Sequence, residues 1–259
     1  MKYRIILTAV MAGSLLAAKA QEKAKPEDTE IWEPIPKVVT PGAHLGDAPS
    51  DAIILFDGKN LDEWVTVSDG SPAKWDVANG EMTVNKANHS GNIETKHKFT
   101  NYQLHIEWKE PEGLEGTGQA RGNSGVFLAS IGKGDAGYEL QVLDSYNNKT
   151  YVNGMAGSLY KQAIPLANPG RKNNEWQTYD VIWTAPVFNA DGSLKSPAYA
   201  TVFFNGVLVE NHYELKGPTL YIGKPSYDKA AFGPAPIKLQ AHGDSSKPLS
   251  FRNIWVREL

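Results

Sequence analysis

The chain has 259 residues, a formal net charge of -3, and 41% hydrophobic and 10% aromatic side chains. That size and apolar content suit one large packed domain, and the mild negative charge offers no basic footprint for nucleic acid. With no cysteine among them, disulfides, thiol nucleophiles and cysteine zinc sites are excluded, which leaves the histidines for acid–base work or metal binding.

The first twenty residues read as an export signal. Lys2 and Arg4 supply the positive start, Ile5 to Ala18 a mostly apolar stretch, and Ala18-Lys19-Ala20 a small-residue cleavage site. The expected mature protein begins at Gln21 and is periplasmic or extracellular. The apolar stretch is too short to span a bilayer comfortably, and no other segment could cross a membrane. Residues 21–50 are rich in Pro, Glu, Lys and Ala without periodicity. They read as a linker or an arm against the surface of a domain spanning residues 51–259.

From Ile53 the pattern is short strands and turns. Ile53–Phe56 is an apolar run closed by Asp57-Gly58. Trp75–Val77 and Met82–Val84 flank Asn79-Gly80, a hairpin signal because both turn positions favour positive φ. Further strands are expected at Tyr102–Trp108, Gly125–Ala129, Tyr138–Leu143 and Trp176–Trp183. Thr201–Phe204 and Val207–Val209 flank a second Asn-Gly turn, and Ile237–Ala241 and Phe251–Val256 close the series. No stretch of the mature chain carries an apolar stripe of helical period. Many short strands without helix predict an all-β jelly-roll sandwich of two antiparallel sheets. Residues 110–124 and 144–175 are long and rich in Gly and Asn, as functional loops often are.

Alternate strand residues point to opposite faces, which sorts three of these strands. Leu104, Ile106 and Trp108 oppose Gln103, His105, Glu107 and Lys109. Tyr138, Leu140 and Val142 oppose Glu139 and Gln141. Ile237, Leu239 and Ala241 oppose Lys238, Gln240 and His242. An ordinary solvated sheet face would produce the same alternation. Yet Glu, Gln and His beside aromatic residues such as Tyr138, Tyr146, Tyr160 and Trp176 also form the mixture that sugars need. Amides and carboxylates serve hydroxyls, and flat rings serve C–H faces. No G-x-S-x-G elbow, H-E-x-x-H pair or complete calcium loop is present. Asn123-Ser124-Gly125 reads equally as a ligand-facing loop and as an ordinary turn.

A set of ordered motifs adds to this reading. Leu55–Leu61 with Trp64 comes first, then Gly122–Leu128, Tyr138–Asp144, Gly157–Tyr160 and Glu175–Asp180. Asn205–Val207, Leu239–Gly243 and Phe251–Arg257 follow. In this order the set resembles the 3-keto-disaccharide hydrolase domain family, across roughly residues 53 to 259. The resemblance implies a concanavalin-like sandwich with one concave, ligand-bearing sheet. It also implies action on glycosides oxidised at C3.

Such chemistry needs a base for the C2 proton, a stabiliser for the enolate oxygen and an acid for the leaving oxygen. Glu107, Glu139 and His242 are the expected catalytic groups. Asn123, Gln141, Asp144 and Tyr160 are expected to bind substrate, as are Lys238, Gln240 and Arg252. Arg252, Lys238 or a divalent metal could stabilise the enolate, the metal held by His242 with Glu107 or Glu139. Glu107, Glu139, Gln141, Gln240 and His242 are expected to line one concave surface. A two-carboxylate glycoside hydrolase and a non-catalytic carbohydrate-binding module remain alternatives.

Overall fold

The computed structural model describes residues 23–87, 90–228, 233–243 and 247–259. The expected signal segment lies outside the described residues, as does His89. The chain divides into two units, one ending at Val38 and one running from Val39 to Leu259. In the first, Pro26–Thr29 form a short 3-10 turn. Residues 39–50, grouped with the arm by composition, belong to the second unit.

Among the described residues fifteen strands follow in chain order. They are β1 (Ile53–Phe56), β2 (Trp64–Thr66), β3 (Asp76–Ala78), β4 (Glu81–Thr83), β5 (Ile93–Thr95), β6 (Tyr102–Lys109), β7 (Ser124–Ser130) and β8 (Gly137–Val142). Then come β9 (Gln177–Thr184), β10 (Val187–Phe188), β11 (Leu194–Ser196), β12 (Tyr199–Phe204), β13 (Val207–Glu214), β14 (Lys238–Leu239) and β15 (Ser250–Glu258). The larger sheet runs β13-β12-β9-β6-β15-β4-β3, with β1 also on β15; the smaller runs β2-β5-β14-β7-β8. Their strand pairs are antiparallel.

Both Asn-Gly turns form as the sequence predicts. Asn79 and Gly80 sit at φ 53° and 79°, and Asn205 and Gly206 at 49° and 77°. In each turn both residues take the positive φ that a tight hairpin demands. β2 and β5 are absent from the sequence reading because each has three residues, too few to show an alternation, and neither flanks an Asn-Gly turn as β3 and β4 do. β14 is likewise shorter than the predicted Ile237–Ala241.

The two sheets enclose one apolar core. Leu104, Ile106, Trp108, Val181, Val202 and Phe204 from the larger sheet share a cluster with Val126, Leu128, Leu140, Val142 and Leu239 from the smaller. Polar atoms of buried side chains reach across between the sheets. Tyr102 Oη donates to the carbonyl of Leu128 at 2.6 Å, Tyr179 Oη to that of Gln141 at 2.7 Å, and Trp64 Nε1 to that of Leu55 at 2.8 Å. Satisfying these three buried donors on the opposite sheet fixes how the layers face each other.

Candidate active site

β7 and β8 are buried along their whole length, on both faces. The core covers one face. The long Gly- and Asn-rich loops lie beside the other, so side chains pointing away from the core become the floor of a pocket. It measures about 480 Å³ and is lined by Gln119, Asn123, Glu139, Gln141, Tyr160, Gln240 and His242, with Ala120, Asp135, Tyr151, Thr219 and Tyr221. That volume suits a small-molecule ligand.

Glu139 is part of this floor. Gly125, on the adjacent strand β7, leaves the space it occupies: a Cβ there would stand 2.5 Å from Glu139 Oε1. The residue is only 6% exposed. Its backbone N–H donates to Thr219 Oγ1, while its carboxyl oxygens have no hydrogen-bond donor among the described residues. Burial pushes the carboxyl up to about 8, Asp135 adds to the rise, and the Lys238 ammonium opposes it. A buried carboxyl without partners favours its neutral form in this way.

Around it stands an amide network. Gln141 Nε2 donates to Gln119 Oε1 at 3.3 Å and to Asn123 Oδ1 at 3.2 Å. Asn123 Nδ2 donates to the Gln119 carbonyl, and Gln119 Nε2 to Thr150 and Gly154. Gln141 Oε1 and Gln240 Oε1 are buried and have no donor among the described residues. A buried acceptor without a donor is costly, and the hydroxyls of a polyol would satisfy both. The hydroxyls of Tyr151 and Tyr160 are 2.5 Å apart, and burial raises the pKa of both. Lys161 Nζ sits between the rings of Tyr151, Tyr160 and Tyr221. His242 lines the pocket from the segment that follows β14.

The pocket thus brings together Asn123, Glu139, Gln141, Tyr160, Gln240 and His242. It does not include the other four residues expected there. Glu107 stands on β6, in the opposite sheet, and faces away from the core. Arg252 Nε donates to its Oε2 at 2.6 Å and Asn253 Nδ2 to its Oε1 at 2.9 Å. Burial alone would raise its pKa, but hydrogen bonds from His105, Asn253 and Arg252 outweigh that and hold it at about 2. Glu107 is therefore a fixed counter-ion.

Arg252 is engaged by Glu107 and by the Trp176 ring, 4.0 Å away. Lys238 is fully buried and donates to the carbonyls of Gly132, Gly134 and Ala136 at 2.8–2.9 Å, so all three of its donors clamp the loop between β7 and β8. Asp144 is also fully buried, paired with Arg121 Nε at 2.5 Å and accepting from Tyr146 N–H. Parity assigns a residue to a face of its strand, but not to a sheet of the sandwich, and this is why Glu107 and Arg252 were misplaced.

Gln119, Tyr151, Thr219 and Tyr221 are pocket residues that the sequence reading missed. Gln119 and Tyr151 fall within the two long loops already marked as functional. Nothing in the sequence marked the loop after β13, which supplies Thr219 and Tyr221. Among the described residues no group of three or more His, Asp or Glu side chains is placed to hold a metal ion. Of the ligands expected for one, Glu139 and His242 share the pocket and Glu107 does not.

The family described as the 3-keto-alpha-glucoside-1,2-lyase-like domain matches residues 51–257. A 3-keto-disaccharide hydrolase from Bacteroides thetaiotaomicron is 33% identical over 90 residues, covering 30% of this chain and 28% of that protein. The match therefore spans less than a third of that relative's length. The structure of a candidate glycosyl hydrolase from Parabacteroides distasonis is 51% identical, with a TM-score of 0.84, covering 93% of this chain and 99% of that one. A second candidate glycosyl hydrolase from the same organism, at 18% identity and a TM-score of 0.59 over 80% of this chain and 94% of that one, shares the fold. With its family match running across the whole sandwich, the chain belongs to the 3-keto-alpha-glucoside-1,2-lyase-like domain family.

Proposed function

We propose that the protein cleaves 3-keto-glycosides by removing the C2 proton, expelling the aglycone and adding water. The observation that carries this reading is Glu139, a buried carboxyl without hydrogen-bond donors among the described residues, held at about 8 on the floor of a pocket lined by amides and phenols. A base that takes a proton from carbon works best when its pKa lies near the working pH. The C3 ketone acidifies the C2 proton, which Glu139 removes. The electron pair forms the C2–C3 enolate, and a phenolic hydroxyl of the Tyr151–Tyr160 pair donates to its oxygen. Collapse of the enolate breaks the C1–O bond, and His242 protonates the departing oxygen. Water then adds to C1 of the enone, giving its proton back to His242, while Glu139 returns a proton to C2. The sum is glycoside plus water giving keto-sugar plus alcohol. Gln141 Oε1 and Gln240 Oε1 accept from sugar hydroxyls.

A matched glucoside and its 3-keto form, incubated in deuterated water, test the reaction. Only the keto form should be cleaved, and deuterium should appear at C2 of the sugar released. Efficient cleavage of the ordinary glucoside without exchange would support a two-carboxylate glycosidase instead. Binding without turnover of either compound would support a carbohydrate-binding module.

We also propose export, on the evidence of the N-terminal sequence. Intact mass of the protein from its host should place Gln21 first; a mature chain that keeps Met1 would contradict this.

A further inference from the structure

A second cleft of about 400 Å³ opens beside the pocket and shares Asp135, Thr219 and Tyr221 with it. Its character is different. Ile131, Ala136, Pro218, Leu220 and Tyr221 supply apolar and aromatic surface. Part of its polar capacity is already committed within the protein. Asp135 Oδ1 accepts from Asn92 at 2.8 Å, Thr219 Oγ1 accepts from the Glu139 N–H at 3.0 Å, and Ser226 Oγ donates to Asp228 at 3.2 Å. The pocket floor, by contrast, holds two amide acceptors without donors. A second sugar there would find the Tyr221 hydroxyl, the second Asp135 oxygen and the Thr219 hydroxyl proton, whereas Ile131, Ala136, Pro218 and Leu220 give an alkyl or aryl group apolar contact. At the mouth, Leu220, Tyr221 and Ile222 are 43%, 71% and 83% exposed, an apolar run of the kind that marks a contact surface.

We infer that this cleft is the leaving-group subsite and takes an apolar aglycone, alkyl or aryl, in preference to a second sugar. The inference rests on the proposed function in taking the pocket as the site of the sugar ring. Continuity through Asp135, Thr219 and Tyr221 lets one ligand occupy both: the ring over Glu139, and the aglycone past Thr219 against Leu220. The preferred substrates are then 3-keto-glycosides of hydrophobic alcohols or phenols.

The test uses unoxidised glucosides, which the proposed reaction leaves intact, so binding is read apart from turnover. Calorimetric titration would compare hexyl glucoside with a glucosyl disaccharide, in both anomers, against the wild-type chain and Leu220→Asn. Leu220 is half-exposed, so its replacement leaves the core untouched. Hexyl glucoside should bind about tenfold more tightly than the disaccharide, and Leu220→Asn should remove most of that advantage, the size expected of one lost apolar contact. Equal affinities, a preference for the disaccharide, or a hexyl preference that survives Leu220→Asn would overturn the subsite. Turnover of the 3-keto form of hexyl glucoside is scored separately. Its absence alongside an intact hexyl preference would refute the reaction and leave the subsite standing.

Discussion

Replacing Glu139 with Gln should lower kcat/KM on a 3-keto-glucoside by about 10²–10⁴-fold, the usual contribution of a positioned general base. The exchange keeps the shape of the side chain and deletes its basicity. It should cost little stability, because burial already favours the neutral carboxyl in the folded chain. Glu107→Gln is the contrasting case. Glu107 is ionised and tied to Arg252 and Asn253 on the other sheet, so its loss should lower Tm and leave turnover nearly unchanged. Full activity in Glu139→Gln would remove Glu139 from the reaction.

The pH profile assigns the role of Glu139 independently. A base acts when ionised. With the folded carboxyl at about 8 against an ordinary 4.5, only about a tenth is ionised at pH 7. The rate should therefore climb roughly tenfold per pH unit toward 8 and then level off. Glu139→Gln should abolish that limb. A rate that falls through the same range would make Glu139 the acid, and a limb that persists in Glu139→Gln but vanishes in His242→Ala would make His242 the base.

The contrast between these two carboxylates shows what the sequence made legible. Strand alternation correctly turned both Glu107 and Glu139 away from the core, because the side-chain period of a strand is local and strong. What it could not convey is which sheet each strand joins. β6 pairs with β9 and β15, long-range pairings with no local signature, whereas β8 pairs with its chain neighbour β7. Lys238 failed for a related reason. It lies two residues before Gln240, but its long side chain reaches past the floor to the carbonyls of the 132–136 loop. Both Asn-Gly hairpins were legible because their chemistry is contained within two residues. Gln119, Tyr151 and Thr219 come from loops whose course is set by what they pack against, so length and composition could mark two of the regions but not the residues. Asn123 is singled out by the Asn-Ser-Gly loop and Tyr160 as an aromatic near the polar faces, and the motif order includes both.

Gly125→Ala should lower turnover about 10²-fold while the domain stays folded. The added methyl would stand 2.5 Å from Glu139 Oε1, 3.1 Å from Cγ and 3.2 Å from Cδ. Those contacts are closer than carbon and oxygen tolerate, so the carboxyl must shift. The shift falls on the side chain rather than the ladder, because the Glu139 backbone N–H remains bound to Thr219 Oγ1. Gly125 also lies within β7, outside the positive-φ region, so alanine fits its backbone without strain. A displacement of about 1 Å between base and reacting proton is enough to cost that factor, since proton transfer needs near-contact geometry. The decisive comparison sets kcat/KM against thermal unfolding for the same variant. Turnover should collapse while Tm moves by only a few degrees, with the sheet still paired on both sides of Gly125. Wild-type turnover in Gly125→Ala would mean that the Glu139 carboxyl does not have to stand where it does, and the assignment of the base would fail with it.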